Sequence, residues 1–444
     1  MAEKVLINKS ILTDIGNAIR EKEESIDLIP STEMATRIRD FQGGAKIVSG
    51  GVEKILKGEY NGDSVSITKP ENVNISALID EQKIPLAVNV DIPTYDGSYE
   101  NGITSIDMLQ KKIDLSKSMA YEFYGNKYKD EYEEYFAGLD TSKVTDFSYC
   151  FNTQSSVFYM TKLPSWLNTS SGTNFDYFCY RQEKLVDISN LDISSATSLY
   201  NAFYGAGITD ISNLDFSKCQ NFGMAFYKSK VAKIPNPFMI QNISSFDSAF
   251  DGCSQLTGEI TIIVSEENTY STKMGSAFAN TNISKLTIIS NDKVGNVGGI
   301  CFNCANLTEL HIDSLKGWSI SSTTLGPIHN CKNIQNLFLG NIRGGFPIGS
   351  GDGTGTNDYG TLLTLDSLIN IIKELIIPKN TSDTRTLTMG TANLAKIENV
   401  YVKLTGEAEE DENYPKLPCE VCESTDEGAM TIIAYANSKN WTIA

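Results

Sequence analysis

The chain has 444 residues, 41% of them hydrophobic and 21% charged, which is the balance of a folded protein and not of a disordered one. Its formal net charge of -18 argues against nucleic acid as a partner, because phosphate binding needs a basic surface. No run of about 18 apolar residues occurs, so no membrane-spanning helix is expected, and nine cysteines, an odd number, do not suggest a disulfide framework.

The opening, Met1-Ala-Glu-Lys-Val, lacks the basic-then-apolar plan of a secretory signal, and folding in a reducing cytoplasm is expected. Between Asn8 and Lys22, Ile11, Ile15 and Ile19 recur at helical spacing with Leu12 beside them, the stripe of a short amphipathic helix. After Ile29-Pro30, Ser31 can cap a second helix on which Met34, Ile38 and Phe41 share a face, and Gly43-Gly44 ends it. Two short helices with one apolar face each bury too little to stand alone, which predicts a homo-oligomer, a trimer being one form, or packing on another protein.

This segment, Ser10-Ile-Leu-Thr-Asp-Ile-Gly-Asn-Ala-Ile-Arg-Glu-Lys followed by Ile29-Pro-Ser-Thr-Glu-Met-Ala, resembles the N-terminal segment of many tail proteins of phages that infect Gram-positive bacteria. The resemblance implies that residues 1–45 attach the chain to other tail or baseplate proteins, and that its location is the virion.

Residues 46–115 alternate β-type runs (Ser64-Val-Ser-Ile-Thr68, Leu86-Ala-Val-Asn-Val-Asp-Ile92) with Gly and Pro breaks, which predicts a small β-rich connector. In 116–143, Tyr121, Tyr124, Tyr128, Tyr132 and Tyr135 follow one another at steps of three and four, the spacing of a helix. A helical cap over the open end of the next domain is expected there, in preference to a tyrosine-rich contact patch, because a repeat stack needs capped ends.

From 144 to 343 a short phrase returns: Tyr149-Cys150-Phe151, Phe178-Cys179-Tyr180, Ala202-Phe203-Tyr204, Ala225-Phe226-Tyr227, Ala249-Phe250-Asp251, Ala277-Phe278-Ala279, Cys301-Phe302-Asn303 and Pro327-Ile328-His329. Counted from Phe151 through Phe178, Phe203, Phe226, Phe250, Phe278 and Phe302 to Ile328, the steps are 27, 25, 23, 24, 28, 24 and 26. Units this small cannot bury their own apolar face, so they must stack. The second half of each unit reads as a strand: Ile283-Ser-Lys-Leu286-Thr-Ile288, Leu307-Thr-Glu-Leu310-His-Ile312 and Ile334-Gln-Asn-Leu337-Phe-Leu339 follow L-x-x-L-x-L, with looser copies earlier.

Strand alternation then turns Leu and Ile inward and makes Ser189, Ser212, Pro235, Thr261, Thr287, His311 and Phe338 an outward ladder. The aromatic anchors are expected to fill the core under a short helical turn, with Cys253, Cys304 and Cys331 in positions that admit only a small buried side chain. Phrases such as Phe250-Asp-Gly-Cys253-Ser-Gln-Leu256 resemble the BspA-like class of leucine-rich repeats, although Phe302 to Cys304 is one residue shorter than Phe250 to Cys253.

Residues 344–444 begin with a Gly-, Thr- and Asp-rich stretch around Gly349-Ser-Gly-Asp-Gly-Thr that fits no nucleotide or EF-hand motif; a surface loop is expected over a calcium-binding turn. Helix (Leu365–Ile372), strand (Arg385–Met389), a restart at Asn393–Ile397 and a final Trp441 follow. This run resembles the C-termini of the same group of phage tail proteins, with Asn440 standing where those carry glycine and an acidic insertion around Glu407–Glu412. It is expected to seal the far end of the stack.

No enzyme, cofactor or metal site is expected. The two histidines, His311 and His329, lie in no nucleophile motif. The pairs Cys301/Cys304 and Cys419/Cys422 could supply zinc ligands by count, but repeat packing accounts for the first and a lone pair is a weak signal for the second. The fold predicted is an α/β solenoid of BspA-like leucine-rich repeats with short N-terminal helices and a small β-rich connector. The function that follows from the resemblances is that of a tail fibre or receptor-binding protein meeting a host cell-surface glycan or protein through Thr287, His311 and Phe338, with Tyr204 and Tyr227 nearby. Aromatic and small polar side chains offer contact area at low entropic cost. The alternatives are a bacterial surface adhesin of BspA type and a tail-associated glycan hydrolase using two carboxylates.

Overall fold

The computed structural model describes residues 106–444 except 126, 135, 154–159, 319–324, 351–357, 378–384 and 408–414, together with the backbone of four strands between 45 and 90. The two N-terminal helices expected from the sequence, Tyr135, most of the glycine-rich stretch and most of the acidic insertion lie outside these residues. The chain divides into two units, Met1–Ser116 with Glu134–Leu139, and Lys117–Glu133 with Asp140–Ala444.

The first unit holds a four-stranded sheet of β1 (Ala45–Ser49), β2 (Val52–Asn61), β3 (Ser64–Thr68) and β4 (Ala87–Val90) in sequential order. β1, β2 and β3 pair antiparallel, whereas β4 lies parallel to β3. The two β-runs read from the sequence are β3 and β4. Helix α1 (Ile106–Ser116) was not legible, and its Leu109 and Ile113, four residues apart, are buried.

The second unit is a parallel β-solenoid. Its strands β5 (Phe238–Ile240), β6 (Thr257–Val264), β8 (Asn282–Ile289), β10 (Glu309–Ile312) and β11 (Asn336–Leu339) form one parallel sheet, interrupted in sequence by the short pair β7 (Thr272–Lys273) and β9 (Val294–Asn296). A second ladder runs on another side. Single parallel bridges join Ser118, Asp146, Asn174, Ser198, Asn221, Ser245 and Lys273 in succession, and Lys273 pairs on to Asn296.

Each bridge opens a run of tight turns, and this run corrects the expected helical turn. In the coil at Phe250, the amides of Phe246, Ser248, Phe250 and Gly252 donate to the carbonyls of Lys273, Gly275, Ala277 and Ala279 in the next coil at 2.7–2.9 Å. The amides between them, of Ala249, Asp251 and Cys253, donate back within the coil to Phe246, Ser248 and Phe250. Alternate residues thus serve two directions, and none of these amides is left unmet.

The geometry requires a left-handed residue in every coil, found at Tyr121, Tyr149, Tyr177, Asn201, Met224, Ser248, Ser276 and Gly299 with φ between 52° and 64°. A helix cannot contain that conformation. A non-glycine residue in it costs about 1–2 kcal/mol, which the inter-coil bonding must offset.

The same alternation points two side chains per coil inward. One column is Phe123, Phe151, Cys179, Phe203, Phe226, Phe250, Phe278, Cys301 and Ile328; the other is Phe147, Phe175, Leu199, Phe222, Phe246, Met274 and Val297. All are buried. Ring centroids in the first column lie 5.2 Å (Phe203–Phe226), 5.7 Å (Phe226–Phe250) and 5.6 Å (Phe250–Phe278) apart, near parallel. The expected column of plugs is therefore present, with its register corrected at two coils: Cys179 holds the place expected of Phe178, whose ring is nonetheless buried 5.5 Å from Phe151 and 6.0 Å from Phe203, and Cys301 holds the place expected of Phe302. Phe302 is only half-buried.

With Cys301 as plug, Cys304 falls three residues later, as Cys253 does after Phe250 and Cys331 after Ile328, and the apparent one-residue shortening disappears. The small residue at this place also has a polar task. The thiols of Cys253, Cys304 and Cys331 point at the carbonyl oxygens of Phe226, Phe278 and Cys301 in the preceding coil at 3.0, 3.1 and 2.8 Å, and Gln182 reaches Phe151 O in the same way.

The expected helical cap at the tyrosine run is a correction as well. The amides of Tyr121 and Phe123 donate to Ser148 O and Cys150 O, so Tyr121 and Tyr124 belong to the first coil of the ladder. The only helical piece described there is a single 3₁₀ turn, Asp130–Tyr132. Tyr128 is buried against Phe123, Phe151 and Trp166.

At the other end, helix α2 (Leu365–Lys373) covers β11: Leu337 N donates to Ser367 Oγ at 3.0 Å and Thr364 N donates to Gln335 O at 2.9 Å. The edge strand is thereby met by side chain and cap, which removes a site for unwanted pairing. β12 (Arg385–Leu387), α3 (Thr391–Ile397), β13 (Tyr401–Leu404), β14 (Cys419–Cys422), β15 (Met430–Thr431), α4 (Ile432–Ser438) and β16 (Trp441–Ile443) complete the unit. β12 pairs with β16, and β13 sits between β14 and β15. Trp441 is buried and donates Nε1–H to Ile376 O at 2.8 Å.

Asn440 follows the last turn of α4 with φ 62°, the left-handed conformation that glycine supplies at a helix end and asparagine tolerates. Asn440→Gly should change stability by less than about 0.5 kcal/mol, whereas Asn440→Val should cost about 1–2 kcal/mol; urea unfolding of the two variants measures the difference. Phe226→Ala opens a void between Phe203 and Phe250 and should cost about 3–5 kcal/mol. Its denaturation curve should shift accordingly, and a shift under 1 kcal/mol would contradict a shared core.

Candidate binding surfaces

The five-stranded sheet shows three outward rungs, because residues at even spacing share a face. The register places Glu259, Lys285, Glu309 and Asn336 in line, then Thr261, Thr287, His311 and Phe338, then Met239, Ile263 and Ile289. Between them Ile260, Leu286, Leu310 and Leu337, and Phe238, Ile262, Ile288, Ile312 and Leu339, point inward and are buried. The face therefore grades from charged, with Lys285 and Glu309 2.8 Å apart, through Thr/His/Phe, to an aliphatic rung on which Met239 and Ile289 stand exposed.

Thr287, His311 and Phe338 are thus brought together as the sequence implied. The imidazole of His311 stacks on Phe338 with centroids 4.4 Å apart and planes 14° from parallel. The earlier members of the expected ladder do not join them. Pro235 lies outside β5, whose register sets residue 237 opposite Thr261. Proline has no amide to give a ladder, and the side chain of Asn236 substitutes for backbone, accepting from Thr261 N and donating to Glu259 O at 2.9 Å each. Ser189 and Ser212 sit in turns closed by Asp187 and Asp210, whose carboxylates accept their amides at 3.0 Å.

Tyr204 and Tyr227 belong to the other ladder. They stack on each other at 4.9 Å, and Tyr204 stacks on Tyr180 at 4.6 Å. A neighbouring column stacks Tyr121 on Tyr149 and Tyr149 on Tyr177, each at 4.5 Å and within 11° of parallel. Tyr177 connects the two columns, lying 5.5 Å from Tyr180 and 5.6 Å from Tyr200, and Tyr124 lies 5.6 Å from Tyr121.

Sequence reasoning missed Tyr149, Tyr177, Tyr180 and Tyr200 as surface residues, although Tyr121, Tyr149 and Tyr177 recur at steps of 28, as Phe123, Phe151 and Cys179 do in the same coils. Burial, with the neighbouring phenols of Tyr121 and Tyr177 and the carboxylate of Asp176, pushes Tyr149 up to about 12. Burial also raises Tyr177 and Tyr180.

Of the two histidines, His329 stacks on Phe302 and meets Tyr359 at a tilt of 58°, with Nδ1 3.1 Å from the Tyr359 hydroxyl. Burial lowers the pKa of both imidazoles, opposed at His311 by the carboxylates of Asp313 and Glu309. Cys419 and Cys422 lie three apart on β14, so they face opposite sides of the sheet, one buried and one half-exposed. Among the described residues no group of three His, Cys, Asp or Glu could hold a metal ion, and no helix is long and apolar enough to cross a membrane.

The fold and these faces define a parallel β-solenoid repeat protein. A family described as "Mycoplasma protein of unknown function, DUF285" matches residues 117–237 and, overlapping them, 187–291. Together these are less than half of the chain, and they begin one residue before the first rung, Ser118. No curated protein and no solved structure matches the chain.

The lowered imidazole values have a measurable sign. A folded-state value below the ordinary 6.5 means that the unfolded chain binds more protons on acidification. The contribution from His311 and His329 is present above that ordinary value and is lost as pH falls through the folded ones. Melting temperature should therefore fall between about pH 7 and pH 5, and less steeply in the double variant His311→Gln/His329→Gln; equal slopes would contradict the burial of these rings.

Proposed function

We propose that this protein is a structural and adhesive component of a phage tail or phage-like particle, a tail fibre or receptor-binding protein whose solenoid of BspA-like leucine-rich repeats meets the host cell surface. The observation that carries the reading is the pair of continuous outward ladders. A solenoid of this kind keeps its core side chains inward in every coil, and the residues left outside form rows of Thr, His, Phe and Tyr, an extended contact surface of the sort repeat proteins use for binding. The histidines are committed to ring contacts, which fits binding better than turnover. The likeness of residues 10–35 and of the end at Trp441 to phage tail proteins of Gram-positive hosts supports the particle as the setting. Tail or baseplate proteins and a host glycan or protein are then the partners, with the chain acting as an oligomer in the virion.

Purified full-length protein should adsorb to cells of a susceptible Gram-positive host and reduce plaque formation by the corresponding phage when added first. Adsorption to no bacterial surface across a panel of such hosts would overturn the adhesive reading.

A further inference from the structure

Two features of the tyrosine columns go beyond what the solenoid itself requires. First, the left-handed position of the turn ladder is filled in later coils by Asn201, Met224, Ser248, Ser276 and Gly299, of which Met224 alone is bulky. In the first three coils it is Tyr121, Tyr149 and Tyr177, at φ 64°, 56° and 57°. Bulky residues held there are outliers, and an outlier kept in three successive coils points to use. Second, the columns are continuous from coil to coil. Tyr121, Tyr149 and Tyr177 pass to Tyr180, Tyr204 and Tyr227 without a break in ring contact.

The stacking also decides what is offered outward. Ring faces cover one another, so a ligand meets ring edges and a row of phenol hydroxyls repeating once per coil, at the spacing of neighbouring strands, about 4.8 Å. That is close to the length of one sugar unit in an extended glycan. Charge is balanced along the face: the carboxylate of Asp176 lies near Tyr149 and Tyr177, while Arg181 and Lys228 lie near Tyr180, Lys228 with its ammonium 5.1 Å over the Tyr227 ring. Neither a polyanion nor a polycation finds a complementary row.

We infer that the tyrosine face of the first five coils is a carbohydrate-binding surface, and that its ligand is a linear, uncharged polysaccharide laid along the solenoid axis with its hydroxyls bonded to successive phenols. This deepens the adhesive reading and rests on it; it assigns glycan recognition to this ladder and not to the Thr287–His311–Phe338 rung.

The test applies the full-length protein to an array carrying neutral, amino, uronate and phosphate-bearing oligosaccharides, beside whole-cell adsorption. Wild type should bind the neutral linear members, more tightly as their length increases. The triple variant Tyr149→Phe/Tyr177→Phe/Tyr204→Phe keeps the stacks and removes hydroxyls; it should bind at least tenfold more weakly. The variant Tyr149→Asn/Tyr177→Asn installs the residue type of Asn201. It should lose binding while melting no lower than a matched variant with Asn at buried Phe175, which separates a contact role from a structural one. Binding confined to charged members, or unchanged in both tyrosine variants, overturns the inference. Cell adsorption that survives in the tyrosine variants but is lost in His311→Ser/Phe338→Ser overturns it while leaving the adhesive reading in place, and failure of wild type to adsorb to any cell sinks both.

Discussion

The whole solenoid depends on the alternating hydrogen bonding of the turn ladder. Every second amide in a run such as Phe246–Gly252 looks for a carbonyl one coil ahead, so a coil without a neighbour has several unmet backbone groups, each costly where water is excluded. From that follow the continuity of the stack, the need for sealed ends, and the narrow choice of side chain at three places per coil: apolar at the two inward columns and, at the place of Cys253, small or able to reach a carbonyl of the preceding coil as Gln182 does. The sealing at β11 shows how specific the demand is, since Leu337 N is met by one serine hydroxyl on α2.

Much of this was legible because a solenoid writes its core as a period. Phe203, Phe226, Phe250 and Phe278 could be read as one column, and Thr287, His311 and Phe338 as one rung, from spacing alone. What spacing could not reveal was conformation. The run around each anchor is dense in small residues and has near-helical recurrence, and only the left-handed φ at residues such as Ser248 and Met224 turns it into a ladder. Neither serine nor methionine advertises that state, because the inter-coil bonds impose it on the local preference. For the same reason spacing points to Phe302 as a plug where the chain uses Cys301, and the aromatic instead stacks outside on His329.

Asn440 and the asparagines of the later coils show the opposite case, in which a residue type does carry its conformation. Asn280, Asn303 and Asn330 are all left-handed, and each passes a side-chain amide hydrogen bond to the coil before it: Asn280 to Asp251 at 2.7 Å, Asn303 to Asn280 at 2.9 Å and Asn330 to Asn303 at 2.8 Å. Earlier coils put Gly125, Gly205 and Gly252 at the same place, where the backbone alone answers the strain, and Arg181 and Lys228 with φ 61° and 55°. Glycine meets the constraint by having no Cβ and asparagine by a side chain that bonds along the stack, while Arg181 and Lys228 are held there by their inter-coil amide bonds.

The contrast between the two halves of the solenoid then acquires meaning. Where the left-handed positions carry Gly or Asn, the local problem and the residue agree, and where they carry Ser or Met224 the inter-coil bonds impose the conformation. Where they carry tyrosine, the residue works against its backbone, and stacking recovers only about 0.5–1.5 kcal/mol per pair against a conformational cost of similar size. Stability therefore does not select tyrosine over asparagine at Tyr149 and Tyr177. Since the core columns beneath are unaffected by the choice, the difference between those coils and the later ones lies in what the outer surface presents to whatever meets it.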